Sequence, residues 1–485
     1  MGFWKGISKR GVAHTSFTNN FTGAVSTSWN TAGNWSLGVV PTSTQDVLIS
    51  SNCTLDTSPT VRRMTIGIGI TLTFGTTART LTVNNDFNCL GTVNMNSNTH
   101  TLSLKGIYNA CNSLVTDSNN STVNYSNSTG SIGQQVFASA NYRNLTVVFK
   151  ATQGSGSGVE CVIVGGNSIT IANTLNQGSA FVIANGQSVV VNGTGSHTVN
   201  NTTIKEGGNI TFTNTCSLAM NETTINGDFT IGTGATVSVT ATNTVIFGRY
   251  SRCIATNSTS KYKTVSGGTL QLSMEDNVAQ FMSGGLYDFT GTTSVAYNKV
   301  IYAGITAWGT GLKVLANSNY GGNLSLTNIS GRNPIIQGNI TAATLTSTGT
   351  QGFDLNGYNL TVSGGVTNLG SLVGAGSLRA IGSLTTSSSS VTLSSNIFCQ
   401  GGFTCAGSLT YTSGTLYFDT NNQNISITGT RAITNVYVDA KTITKTGTGA
   451  LTITNLDGSG SGTSIFNGSG TTTVTTVSAN VTYNP

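Results

Sequence analysis

The sequence predicts an all-β protein: an elongated right-handed parallel β-helix, or β-solenoid, with an N-terminal cap and an irregular middle region. Three observations lead there. Charged residues make up only 7% of the 485-residue chain, against about 25% in an average domain; Gly, Ser, Thr and Asn take their place. Thr, Val, Ile and Leu recur at every second position in short runs, the period of a strand with one face buried. The runs also echo one another at intervals of tens of residues, which marks stacked units that cannot bury a face alone. Disordered segments share the small-residue composition but lack β-branched residues, and low-complexity linkers carry more proline than the four found here.

Taken in order, residues 1–25 form an arm that opens "MGFWKGISKR" and is basic and aromatic through Phe3, Trp4, Lys5, Lys9 and Arg10. It has no apolar core of secretory length, and Gly6 stands where a myristoylation signal requires Ser or Thr. Residues 26–60 read as a cap. An open solenoid end exposes strand edges that invite unwanted pairing. The run "STSWNTAGNWSLGVVPTSTQDVLI" places Trp29 and Trp35 to cover the first turn, Gly38 and Pro41 to redirect the chain, and Asp46 to hold that turn before Val47-Leu48-Ile49.

Residues 61–248 read as repeats. "MTIGIGITLTF" (64–74), "RTLTVNND" (79–86), "NITFTN" (209–214) and "ATVSVTATNTVIFG" (235–248) alternate cleanly. Asn and Gly between them supply the backbone conformations of tight corners. Residues 249–320 depart from this. They gather Arg249, Tyr250, Arg252, Glu275, Asp276 and Trp308, together with Lys261, Lys263, Met274, Met282, Tyr287 and Lys313, and are expected to be irregular rungs, an insertion or a contact surface. Repeats resume over 321–485. At roughly 20–25 residues per turn and about 4.8 Å between strands, some 420 residues make a rod of roughly 80–95 Å. A series of β-sandwiches is the rival, but it calls for clearer hairpin turns and domain boundaries.

Within the repeats, "LTVNNDFNCLGTVNM" (81–95), "TTINGDFTIGTGATVSV" (223–239) and "LTVSGGVTNLGSLVGAGSL" (360–378) share one form. A second echo pairs residues 121–149 with 414–440, and 286–303 is a weaker copy. The cap's Trp-Asn, Asn-Trp-Ser, Gly, Val, Pro, Asp, Val and Ile resemble the opening of many β-helical surface proteins, including autotransporter-type adhesins and phage fibres. The "NLTV" and "GDFT" runs resemble repeats of such proteins, notably in Bacteroidetes and their phages. The resemblance covers most of the chain loosely and specifies a fold far better than a function.

No catalytic constellation stands out. Glycosidases need two carboxyl groups about 5–10 Å apart; the fifteen acidic residues are nearly all isolated, and the adjacent Glu275 and Asp276 would point to opposite faces of a strand. The three histidines (14, 100, 197) and eight cysteines match no zinc pattern, and nothing suggests another metal or a cofactor. Cys399 and Cys405 are the close pair, and whether they join is open. The basic residues form no stripe of the kind that binds nucleic acid, and no run approaches the roughly 18 apolar residues of a membrane span.

The expected function is therefore non-enzymatic: a structural protein of a bacteriophage virion, a fibre, spike or surface decoration on the outside of the particle. Expected partners are further copies of the chain, a trimer being favoured, other virion proteins through the N-terminal arm, and host surface glycans. A bacterial cell-surface adhesin or autotransporter passenger is the alternative, and a polysaccharide-cleaving spike stands behind both.

Overall fold

A computed structural model describes residues 19–116, 121–126, 134–139, 141–147, 162–164, 168–177, 181–183, 185–200, 202–221, 223–241, 244–248, 250–264, 268–274, 280–289, 299–303, 313–316, 319–327, 333–348, 353–388, 390–459, 462–468 and 471–485. The expected arm residues Phe3, Trp4, Lys5, Lys9 and Arg10 lie outside them, as do Arg249, Glu275, Asp276 and Trp308. Contacts divide the chain into two units, Met1–Gly193 and Thr194–Pro485. Each is a parallel β-solenoid, and the sandwich alternative falls because the strands of each unit pair in parallel with the turn before and after.

In the first unit, alternation translates directly into burial. Strand Thr71–Phe74 buries Leu72 and Phe74 and turns Thr71 and Thr73 outward, because successive Cβ atoms leave opposite faces of a strand. Turns then stack like on like. Val61, Val83, Leu104, Tyr125 and Val147 are successive in-register partners, at intervals of 21 or 22 residues. A second column runs Phe21, Ile49, Ile66, Cys89, Cys111. Corners approach so closely that side chains are excluded: a Cβ on Gly91 would lie 2.6 Å from the Gly67 carbonyl oxygen. Stacking begins earlier than position 61, since Asn19–Phe21 already pairs with Val47–Ile49. The tryptophan-bearing segment is thus a loop between the first two paired strands.

The second unit includes much of the stretch expected to be irregular. Arg252–Ala255, Lys261–Thr264 and Thr269–Leu272 pair in register with the preceding turn. Their charges are compatible with this because they occupy outward positions: Lys261 and Lys263 flank Tyr262, which is fully buried. The interior here is aromatic, with Phe212, Phe229, Phe247 and Tyr262 in consecutive contact at centroid separations of 5.4, 6.1 and 6.4 Å. Further on, Ile340, Leu360, Leu378, Ile397, Leu416, Val436, Leu456 and Val477 form one unbroken in-register column. Its turns are 18–21 residues long, against 21 or 22 in the column from Val61 to Val147.

Each unit also contains a buried tyrosine pair. Tyr125 and Tyr142 share a hydroxyl–hydroxyl hydrogen bond of 2.8 Å; Tyr142 donates to the Phe137 carbonyl at 2.6 Å, and the Phe137 N–H donates to Tyr125 at 3.3 Å. Tyr302 and Tyr320 repeat this around Leu315, with 2.6 Å between the hydroxyls and 3.3 Å to both backbone groups. In both copies the hydroxyls satisfy polar backbone groups drawn into the interior, where an unpaired N–H or C=O is costly.

Candidate functional site

At the start of the first unit, Trp29 and Trp35 are both buried and meet edge to face at 4.6 Å, with Phe21 5.1 Å from Trp35. The Trp35 indole N–H donates to the Trp29 carbonyl at 2.7 Å. Asn34 ties the loop by accepting from the Val25 and Ser26 N–H groups, both at 2.8 Å. Gly38 adopts φ +67° and its N–H donates to the Trp35 carbonyl at 2.8 Å, while Pro41 is buried. Asp46 reaches along the stack to the next turn, accepting two bonds from Arg62 at 2.6 and 2.7 Å, with Arg63 at 3.7 Å. The first and larger cause holding Arg62 above its usual pKa is that hydrogen-bonded contact. These contacts pack the loop against the first paired strands.

Of the expected contact surface in the middle region, Tyr250 is half-exposed and Arg252 forms a two-pronged pair with Asp228 at 2.8 and 2.5 Å. Asp228 and Arg252 are in-register neighbours, so the pair braces two turns. His100 is buried against Phe74 at 5.0 Å, with Ser97 3.0 Å from Nε2 and the Arg79 N–H donating to Nδ1 at 3.2 Å. Among the described residues, no group of three or more His, Cys, Asp and Glu side chains comes together to hold a metal ion. Cys399 and Cys405 are both buried as free thiols on opposite sides of a corner, and Cys399 stacks on Ala380 rather than on another sulfur.

The most distinctive outward surface lies in the second unit and was not singled out from the sequence. Arg379, Phe398, Tyr417, Tyr437 and Asp457 are successive in-register partners. Phe398 and Tyr417 stack at 4.5 Å with planes 9° apart, and Tyr437 continues the row 5.5 Å beyond Tyr417. The Arg379 guanidinium lies 4.4 Å over the Phe398 ring and bonds Asp419 at 2.9 Å, so a cation–π contact and an ion pair hold the same head group. Burial, and then the negative charges of Asp439 and Asp457, raise the Tyr437 pKa.

Around the adjoining corner is a polar recess of about 520 Å³. Its depth follows from corner length. Gln400-Gly401-Gly402 links Cys399 to Phe403, whereas the next turn uses Asp419-Thr420-Asn421-Asn422 and projects further. Gly401 must be glycine, since a Cβ would lie 2.5 Å from the Gly382 carbonyl carbon beneath. Asn421 donates to the Gln400 carbonyl at 3.0 Å and Asn422 accepts from the Thr442 N–H at 2.8 Å. Gln423 closes the corner from within, accepting from the Gly402 N–H at 2.9 Å and donating to the Cys399 carbonyl at 2.7 Å. Asn424, Thr404, Ser426 and Thr446 add to the lining with Ser383 and Phe403, and no lining residue is charged. Amides and hydroxyls on a held backbone offer donors and acceptors together, suited to a neutral, hydroxyl-rich ligand.

Comparison with known proteins finds one likeness. No curated protein matches the chain, and no solved structure does either. Residues 166–279, less than a quarter of the chain, are similar to the G8 domain, a stretch whose described strands are parallel turns with outward threonines and, from Phe212 onward, an aromatic interior.

Proposed function

We propose that this chain is a structural protein of a bacteriophage particle, a fibre, spike or surface decoration, whose solenoid carries a recognition face outside the particle. The observation that supports this reading is the eight-membered column from Ile340 to Val477. A register held over consecutive turns makes a stiff scaffold, because slipping one residue would turn every apolar side chain outward. Charged residues are only 7% of the sequence, and the aromatic row with its recess gives the second unit a chemically distinct patch. Assembly as a homotrimer and docking through Phe3, Trp4, Lys5, Lys9 and Arg10 complete the proposal, which involves no catalysis.

The recess favours a second reading, a bacterial surface adhesin, because a site for a neutral glycan serves a cell surface equally well. Peptide mass spectrometry of purified particles and of cell envelopes from the source culture separates the two. Peptides of this chain in particles at a stoichiometry typical of structural proteins support the virion reading. Peptides confined to envelopes would refute it in favour of the adhesin.

A further inference from the structure

Among the described cysteines, Cys89 and Cys111 occupy equivalent places on successive turns as in-register partners. Neighbouring parallel strands are about 4.8 Å apart, and a disulfide spans Cα separations of about 4.4–6.8 Å. Both residues continue the column that begins Phe21, Ile49 and Ile66, so their Cβ atoms leave the strands in the same direction. The register shifts between Cys111 and Ser113, which loosens the ladder where one backbone must move for the sulfurs to bond. The Cys111 thiol lies 3.2 Å from the Ser113 carbonyl. Cys89 is buried and Cys111 is half-buried, so Cys111 is the more accessible residue of the two.

We infer that Cys89 and Cys111 are a modification site: they form a cross-turn disulfide when the folded chain meets a low-molecular-weight disulfide such as oxidised glutathione. In the first step the half-buried Cys111 attacks a sulfur of the reagent as it gives up its thiol proton to the departing sulfur, forming a mixed disulfide and releasing one reduced thiol. The Cys89 thiolate then attacks the Cys111 sulfur and expels the second. Two protein thiols lose two electrons and two protons, and the reagent's disulfide gains them as two thiols. The neighbouring Cys111 thiol lowers the pKa of Cys89, while Cys89 and then burial raise that of Cys111. The bond would staple two turns of the first unit across the 21 intervening residues.

The test uses the intact folded chain, incubated with oxidised glutathione and digested with trypsin without reduction. Cleavage after Arg79, Lys105 and Arg143 places each cysteine alone in a peptide, residues 80–105 and 106–143. A linked 80–105/106–143 species is expected, absent from Cys111→Ser and retained in Cys405→Ser. Reducing the oxidised wild type should lower the melting temperature of the first unit by roughly 5–10 °C. If both peptides instead carry stable glutathione adducts, or the link appears only after denaturation, the inference is overturned.

Discussion

Replacing Tyr142 with Phe removes a single oxygen from the interior of the first unit, and the structure gives the size of the effect. That hydroxyl donates to the Phe137 carbonyl at 2.6 Å and meets the Tyr125 hydroxyl at 2.8 Å, with both rings fully buried. The ring itself still fits, so the loss is polar: a carbonyl and a hydroxyl each forfeit a partner away from water. At about 1–3 kcal/mol for a buried group left short of a bond, Tyr142→Phe should cost about 2–4 kcal/mol. Tyr320→Phe also breaks a hydroxyl–hydroxyl bond, 2.6 Å to Tyr302, but its carbonyl bond to Leu315 is longer at 3.3 Å, so it should cost somewhat less, about 1–3 kcal/mol. Burial pushes the Tyr142 pKa well up, so the hydroxyl remains a donor throughout the neutral range and the effect should not vary between pH 6 and 9. Hydrogen exchange over residues 134–147 for Tyr142→Phe and over residues 299–327 for Tyr320→Phe, with thermal melting of the full chain, reads the two variants. A loss below about 0.5 kcal/mol for Tyr142→Phe, or equal losses for the two, would refute the reasoning that these hydroxyls satisfy buried backbone.

Three further outcomes are expected. Gly401→Ala should cost about 3 kcal/mol or more because its Cβ meets fixed backbone, whereas Gly38→Ala, with φ +67° and open space around it, should cost only about 1 kcal/mol in backbone strain; urea titration compares them. Burial pushes the Cys216 thiol from 9.0 up to about 12. Above pH 9 the unfolded chain therefore loses this proton while the folded chain keeps it, and stability should fall by up to about 1.4 kcal/mol per pH unit until about pH 12; Cys216→Ala should flatten a pH series of melts by that amount. Finally, Asn424→Trp fills the recess from an exposed position, so binding of neutral oligosaccharides on a glycan array should drop at least about tenfold with the melting temperature unchanged, about 1.4 kcal/mol of binding free energy.

Strands and their inner faces were legible in the residues alone. Alternation in "TLTF", "TLTV" and "NITF" assigns Leu72, Phe74, Leu81, Val83, Ile210 and Phe212 to the core, and all are buried. The paired tryptophans were legible as large apolar side chains before Val47-Leu48-Ile49, and both are buried. What the sequence left open was which residues meet between turns. Arg379, Phe398, Tyr417 and Tyr437 are separated by 19 or 20 positions, Tyr125 from Tyr142 by 17 and Cys89 from Cys111 by 22. They become neighbours only once each turn has a definite length and each strand a definite register. Those quantities vary here from 17 to 30 residues, so no fixed period can be laid over the chain. Lys445 shows the same limit: it reads as one more scattered charge, yet it takes an inward place opposite Ile425, fully buried, with its ammonium group donating to the Gly447 carbonyl at 3.1 Å. Alternation is a local property, fixed by the direction each Cβ leaves the strand. Register is a collective one, set by the sum of corner lengths and by how closely the backbones of successive corners can approach, and only the folded stack decides it.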